Sequence, residues 1–149
     1  MSERAWKTLV LILLVWAVVV TSLYVNDVVL AKSQNSGEYE LSSVNIGFKY
    51  KDGRVEWHNL TKVPVGSTLL EVTTKVAKVN YTTYKGMGAF VEAINGVKNE
   101  KPYYWMWWYW SPTTGWTLGP VAADKYIVSD GETLMWYYED TSSFPPAKP

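Results

Sequence analysis

The chain has 149 residues, with 14 Lys/Arg balanced by 14 Asp/Glu, one histidine and no cysteine. The missing cysteine excludes a disulfide framework, a thiolate metal site and a cysteine nucleophile. The even charge lacks the basic footprint of a nucleic-acid binder, so no nucleic acid is expected as a partner. Nine Trp and eleven Tyr are the unusual feature. Such rings bury about 150–250 Å² each, enough for a small domain to hold together by packing alone.

Residues 8–25 (TLVLILLVWAVVVTSLYV) form an apolar run of about the length that crosses a bilayer as a helix. Arg4 and Lys7 precede it, which puts the N-terminus on the cytoplasmic side and the remainder outside. For residues 1–31 two readings stand: an uncleaved signal anchor, or a signal peptide cleaved after Val29-Leu30-Ala31. The expected location is therefore the cell membrane, contacted through residues 8–25 with the C-terminal domain outside, or the secreted fraction. Two Asn-x-Thr sequons make Asn59 and Asn80 glycosylation candidates in keeping with that side. Residues 32–40 read as a polar linker.

Residues 41–140 read as one domain, mostly β. Val44, Ile46 and Phe48 alternate with polar residues, the period of a half-buried strand. Asp52-Gly53 is a hairpin turn, and residues 54–60 return from it. Thr68 followed by Glu71 after the Pro64-Val65-Gly66 turn is a capping box, which predicts a helix over residues 69–78. Short strands follow over 80–84 and 89–94, the second closed by Asn95-Gly96. Tyr103 to Trp110 is a strand of aromatics, residues 116–121 return from it, Ala122 to Tyr126 suits a short helical turn, and 133–139 is a last strand. Residues 141–149 (TSSFPPAKP) read as a disordered Pro-rich tail. Hairpin, helix and further strands predict an α+β class, with a β-grasp-like sheet packed on one short helix.

In the strand over 103–110, alternation puts Tyr103, Trp105, Trp107 and Tyr109 on one face and Tyr104, Met106, Trp108 and Trp110 on the other. A single sheet on a single helix buries one face, so the second row is free to contact something else. Tyr104, Trp108, Trp110 and Trp116, with Met87 of the Lys85–Gly88 loop, are the candidate ligand contacts. Nothing points to catalysis. His58 is the one histidine, no converging set of metal ligands is visible, and Gly86-Met87-Gly88 lacks the context of a phosphate loop. Catalytic and metal residues are both read as none, and the residues themselves call for no cofactor.

Several separated segments resemble a known family. They are Gly66-Ser67-Thr68-Leu69-Leu70-Glu71-Val72, Gly86 to Val91, Ile94 to Asn99, the Tyr104-Trp105 strand, Val121 to Tyr126 and Asp130-Gly131-Glu132. In this order they are similar to the uncharacterised domain related to the C-terminal domain of transcobalamin and intrinsic factor. The resemblance implies a β-grasp-like fold on a secreted or surface-anchored protein, and it implies cobalamin as a candidate ligand. The expected function is a non-enzymatic extracytoplasmic binding module presenting an aromatic surface to a small ligand or glycan. The alternative is an accessory cell-surface subunit using the same aromatics for a protein contact.

Overall fold

The structure is a computed structural model. It describes the backbone of residues 3–34, 40–143 and 145–149, with side chains in the N-terminal helix limited to residues 6–7 and 13–28. The chain divides into two units, Met1–Glu38 and Tyr39–Pro149.

The first unit is a single helix, α1 (Glu3–Gln34). Leu13, Leu14, Val15, Trp16 and Val18 to Val20 are all exposed on it, and the Thr21 hydroxyl donates to its own backbone at Ala17 O, 2.7 Å away. The helix continues past the polar Asn26-Asp27 pair. Residues 32–34, read from sequence as the start of a linker, are therefore helical, while linker residues 35–39 lie outside the described residues. The side chains of the Val29-Leu30-Ala31 cleavage motif and of residues 8–12 in the apolar run also lie outside them. Among the described residues no helix is long and apolar enough to cross a membrane.

The second unit is a mixed α+β fold dominated by sheet. β1 (Leu41–Lys49) and β2 (Val55–Pro64) form a hairpin. Helix α2 (Leu69–Val76) follows, and then β3 (Val79–Tyr84), β4 (Gly88–Ile94) and β5 (Val97–Lys98). β6 (Tyr103–Ser111), β7 (Gly115–Leu118) and β8 (Thr133–Asp140) complete the chain. The large sheet has the order β2-β1-β8-β6-β7. Its first and last strands pair in parallel at the centre, Asn45 opposite Thr133 through Lys49 opposite Tyr137; the other pairs are antiparallel.

Helix α2 starts where its capping box says it should. The Thr68 hydroxyl accepts from Glu71 N at 3.3 Å, and the Glu71 carboxylate accepts from Thr68 N at 2.7 Å. It stops at Val76, two residues early, because Ala77 is already extended and leads into β3. The β-branched run Val72-Thr73-Thr74 forms a weak helix by itself, and tertiary packing holds it. Leu69 and Val72 are fully buried, and buried Thr73 donates to Leu69 O at 2.6 Å while accepting from the Trp136 indole at 2.8 Å.

The expectation of one sheet on one helix needs correcting. β3, β4 and β5 form a separate three-stranded sheet. Ala89, Val91 and Ile94 from it join Leu69, Leu70 and Val72 of α2 in one core against Val44, Ile46, Phe48, Trp105, Trp107, Leu134 and Trp136. The covering layer is thus α2 plus the small sheet. Hydrogen bonds tie the two sheets together: the Trp105 indole donates to Val97 O at 2.8 Å and the Tyr138 hydroxyl to Lys98 O at 2.8 Å. Residues 122–126 make a turn without a helix, pinned to α2 by Leu69 N to Tyr126 O and Leu70 N to Ala123 O. The segment after β8, expected to be disordered, carries hydrogen bonds near both ends: Thr141 N to Pro102 O at 2.9 Å and Lys148 Nζ to Thr114 O at 3.3 Å.

Candidate functional site

Two glycines open a cleft between the sheets. Gly88 begins β4 with φ +98°, and a Cβ there would lie 2.5 Å from Asp124 Oδ1 and 2.6 Å from the Ala122 Cβ. Only glycine has both the backbone freedom and the size for that position. Its neighbour Ala89 donates from N to Asp124 Oδ1 at 2.7 Å, and this bond holds the Asp124 carboxyl below its ordinary range. Gly119, just past β7, presses its backbone onto the Trp107 indole: an added Cβ would fall 2.0 Å from that ring. Gly119 N in turn donates to Trp107 O at 2.8 Å, and the Trp107 indole donates to Val121 O at 2.9 Å. The ring is therefore fixed in place with its hydrogen bond already made.

The result is an apolar cleft of about 400 Å³ with Trp107, Leu118 and Val121 on the large-sheet side and Tyr84, Met87 and Phe90 on the small-sheet side. Met87, Phe90, Tyr84 and Val121 are exposed at its rim. Such a lining receives apolar or planar groups and offers few polar atoms to them. A larger depression of about 1060 Å³ lies between the β1–β2 turn and the Gly96–Tyr103 segment. On its β1–β2 side the charges are engaged with neighbours: Arg54 pairs with Glu56 and Asp52, and Lys51 sits 3.9 Å over the Tyr103 ring. The smaller apolar cleft has the free contact area and is the better site.

The proposed contacts do not form one group. Met87 lines the cleft. Trp110 and Trp116 face each other across β6 and β7 on the other side of the large sheet, edge-on with centroids 5.5 Å apart, and Trp110 is 49% exposed. Tyr104, half-buried, lies six residues away along β6, about 20 Å at strand rise. Trp108 is corrected outright. It is 3% exposed, and its indole donates to the buried Glu139 carboxylate at 3.1 Å, so it is closed to a ligand. Sequence reasoning missed Trp107, Leu118, Phe90 and Val121 as cleft residues; Gly88 and Gly119, conformationally special and flanking them, were the signal. Asn59 and Asn80 are both exposed. His58 packs edge-on to Phe48 at 5.8 Å. Among the described residues no group of His, Cys, Asp or Glu could hold a metal ion.

A family described as Domain of unknown function (DUF4430) matches residues 66–140, just over half of the chain. The chain belongs to this family. The DUF4430 region spans α2 through β8 and contains every residue of the cleft. No curated protein matches the sequence significantly. Among solved structures, haptocorrin in complex with Cbi matches with TM-score 0.58 and 19% identity over 68% of this chain. The match covers 26% of haptocorrin, so the chain spans about a quarter of that protein's length. A putative metal binding protein from Ruminococcus gnavus ATCC 29149 matches with TM-score 0.48 and 13% identity, over 66% of this chain and 97% of that one. The resemblance to the transcobalamin family read from the sequence thus holds at the level of fold.

Proposed function

We propose that this DUF4430 protein is a non-enzymatic binding module that takes a small ligand with an apolar or planar face into the cleft between its two sheets. The carrying observation is the cleft itself, a preformed space of about 400 Å³ floored by a Trp107 ring already hydrogen-bonded and rimmed by exposed Met87 and Phe90. The volume falls within the range of small-molecule sites. Haptocorrin shares the fold and was crystallised with Cbi, a cobinamide, which makes a corrinoid the first ligand to test. A corrin ring exceeds this cleft, so an edge or substituent would enter while the exposed rim met the ring. The strand order β2-β1-β8-β6-β7 with its parallel central pair supports the β-grasp-like reading. The apolar run over residues 8–25 behind Arg4 and Lys7 supports an anchor or export signal with the domain outside. The pair of exposed Trp110 and half-buried Trp116 favours a second reading, a surface subunit that docks another protein through that corner.

The test is tryptophan emission of the full chain in mild detergent, titrated with cobinamide, cyanocobalamin and neutral sugars. Saturable quenching by one of them is expected, weakened at least tenfold in Met87→Ala/Phe90→Ala, whose changes fall on exposed side chains. Absence of saturable quenching, or equal affinity in the double variant, rejects the cleft as the site.

A further inference from the structure

The outer face of the large sheet carries a contradiction. Trp108, Met135 and Glu139 lie on it and are only 3%, 4% and 1% exposed, yet α2 and the small sheet both pack on the opposite face. The Trp57 ring lies over Gly47, beside Met135. The segment after β8 is tied down at both ends of β6. Thr141 donates from both N and Oγ1 to Pro102 O at 2.9 Å, beside the start of β6. Lys148 Nζ reaches Thr114 O at 3.3 Å, in the turn beyond the end of β6. β6 is nine residues long, roughly 30 Å at strand rise. Seven residue steps from 141 to 148 reach only about 25 Å when fully extended, and the lysine side chain has to span the remainder. The described residues on either side of position 144 therefore run nearly straight alongside β6. Pro145, Pro146 and Pro149 favour that form, since polyproline II is extended at about 3.1 Å per residue and lacks internal hydrogen bonds. The inner face is occupied by the core, so the path left is the outer one, and Pro146 is half-buried along it.

We infer that the outer face of β6 around Trp108 is a receptor surface for an extended proline-rich segment, filled in this chain by its own residues after β8 as a strap. The chemistry matches on both sides. Aromatic grooves accept preformed polyproline II segments at little entropic cost, and proline, with no N–H, leaves no donor stranded over an indole. The strap's described hydrogen bonds to other elements sit near its two ends, as expected when its middle is held by ring contact. The cleft lies mainly across the sheet from this surface, with Met106 of the outer row also in its lining.

A chain stopped after Thr141 tests it, alongside a synthetic peptide of residues 142–149. Truncation is expected to shift tryptophan emission to the red and raise acrylamide quenching at least twofold. The peptide is expected to reverse both, and to bind the truncated chain at least tenfold more tightly than the intact one, whose surface is filled. Unchanged emission on truncation, or equal binding to the two chains, overturns the strap. Should the truncated chain fail to fold, Pro145→Ser/Pro146→Ser in the intact chain decides: increased acrylamide quenching supports the strap, and unchanged quenching overturns it.

Discussion

Glu139 is the residue whose surroundings are least like water. It is almost fully buried, one carboxylate oxygen accepts from the Trp108 indole, and the other has no partner among the described residues. Burial pushes its carboxyl up to about 7, with the Trp108 hydrogen bond opposing weakly. The folded value thus stands above the ordinary value of 4.5, so the folded state favours the protonated form. Stability from this group is fully present below pH 4.5 and is lost as pH rises through about 7. Glu139→Gln should raise stability at pH 8 by about 2–3 kcal/mol and flatten the dependence, as read from urea midpoints at pH 5 and pH 8. A variant whose stability falls as steeply as the parent's would contradict this. The sequence showed that Trp108 and Glu139 belong to the outer row, because alternation fixes the face of each side chain. It was silent on what lies above that face, since the proposed cover begins only after β8, more than thirty residues beyond Trp108.

Among the elements, α2 shows where local signals suffice. Thr68 and Glu71 marked its start to the residue. Its end and its partners were decided elsewhere, by the extended Ala77 and by Trp136 reaching Thr73 from sixty-three residues away. Thr73→Val keeps the shape but leaves the Trp136 indole without an acceptor. A loss of about 1–3 kcal/mol is expected, measured as a lowered denaturation midpoint with helix content retained. Valine tolerated without loss would mean that the indole finds another acceptor. Of the small sheet, β3 and β4 were legible from turns and alternation, while the two-residue β5 and the separation from the large sheet were not. Strand pairing is a long-range choice, and β3, β4 and β5 carry no local mark of it. The cleft was hidden for the same reason, because it lies between elements that only the pairing brings together.

At the scale of the whole molecule, the N-terminal run and the domain make separate demands. The run is apolar along its length, and the described part of α1 exposes that surface throughout. If it serves as an uncleaved anchor, the full chain should stay with membranes through alkaline carbonate extraction, and a chain beginning at residue 40 should be released. Recovery of the intact full-length chain in the soluble fraction would remove the anchor reading. The overall class was readable in advance because composition, turn residues and one capping box all agreed. The family resemblance added the expectation of shared fold with the vitamin carriers, and the match to haptocorrin supports that alone.

The pairing of β1 with β8 has a consequence for how the domain comes into being. Asn45 and Thr133 are partners at the centre of the sheet, eighty-eight positions apart. A nascent chain lacking its last twenty residues holds a hairpin with one naked edge and no place for β6 to dock. Closing so wide a loop is slow and delivers its reward only at the end. Assembly must therefore wait for the final strand, and any interruption of synthesis within the domain leaves a sticky, proteolysis-prone fragment instead of a smaller working piece.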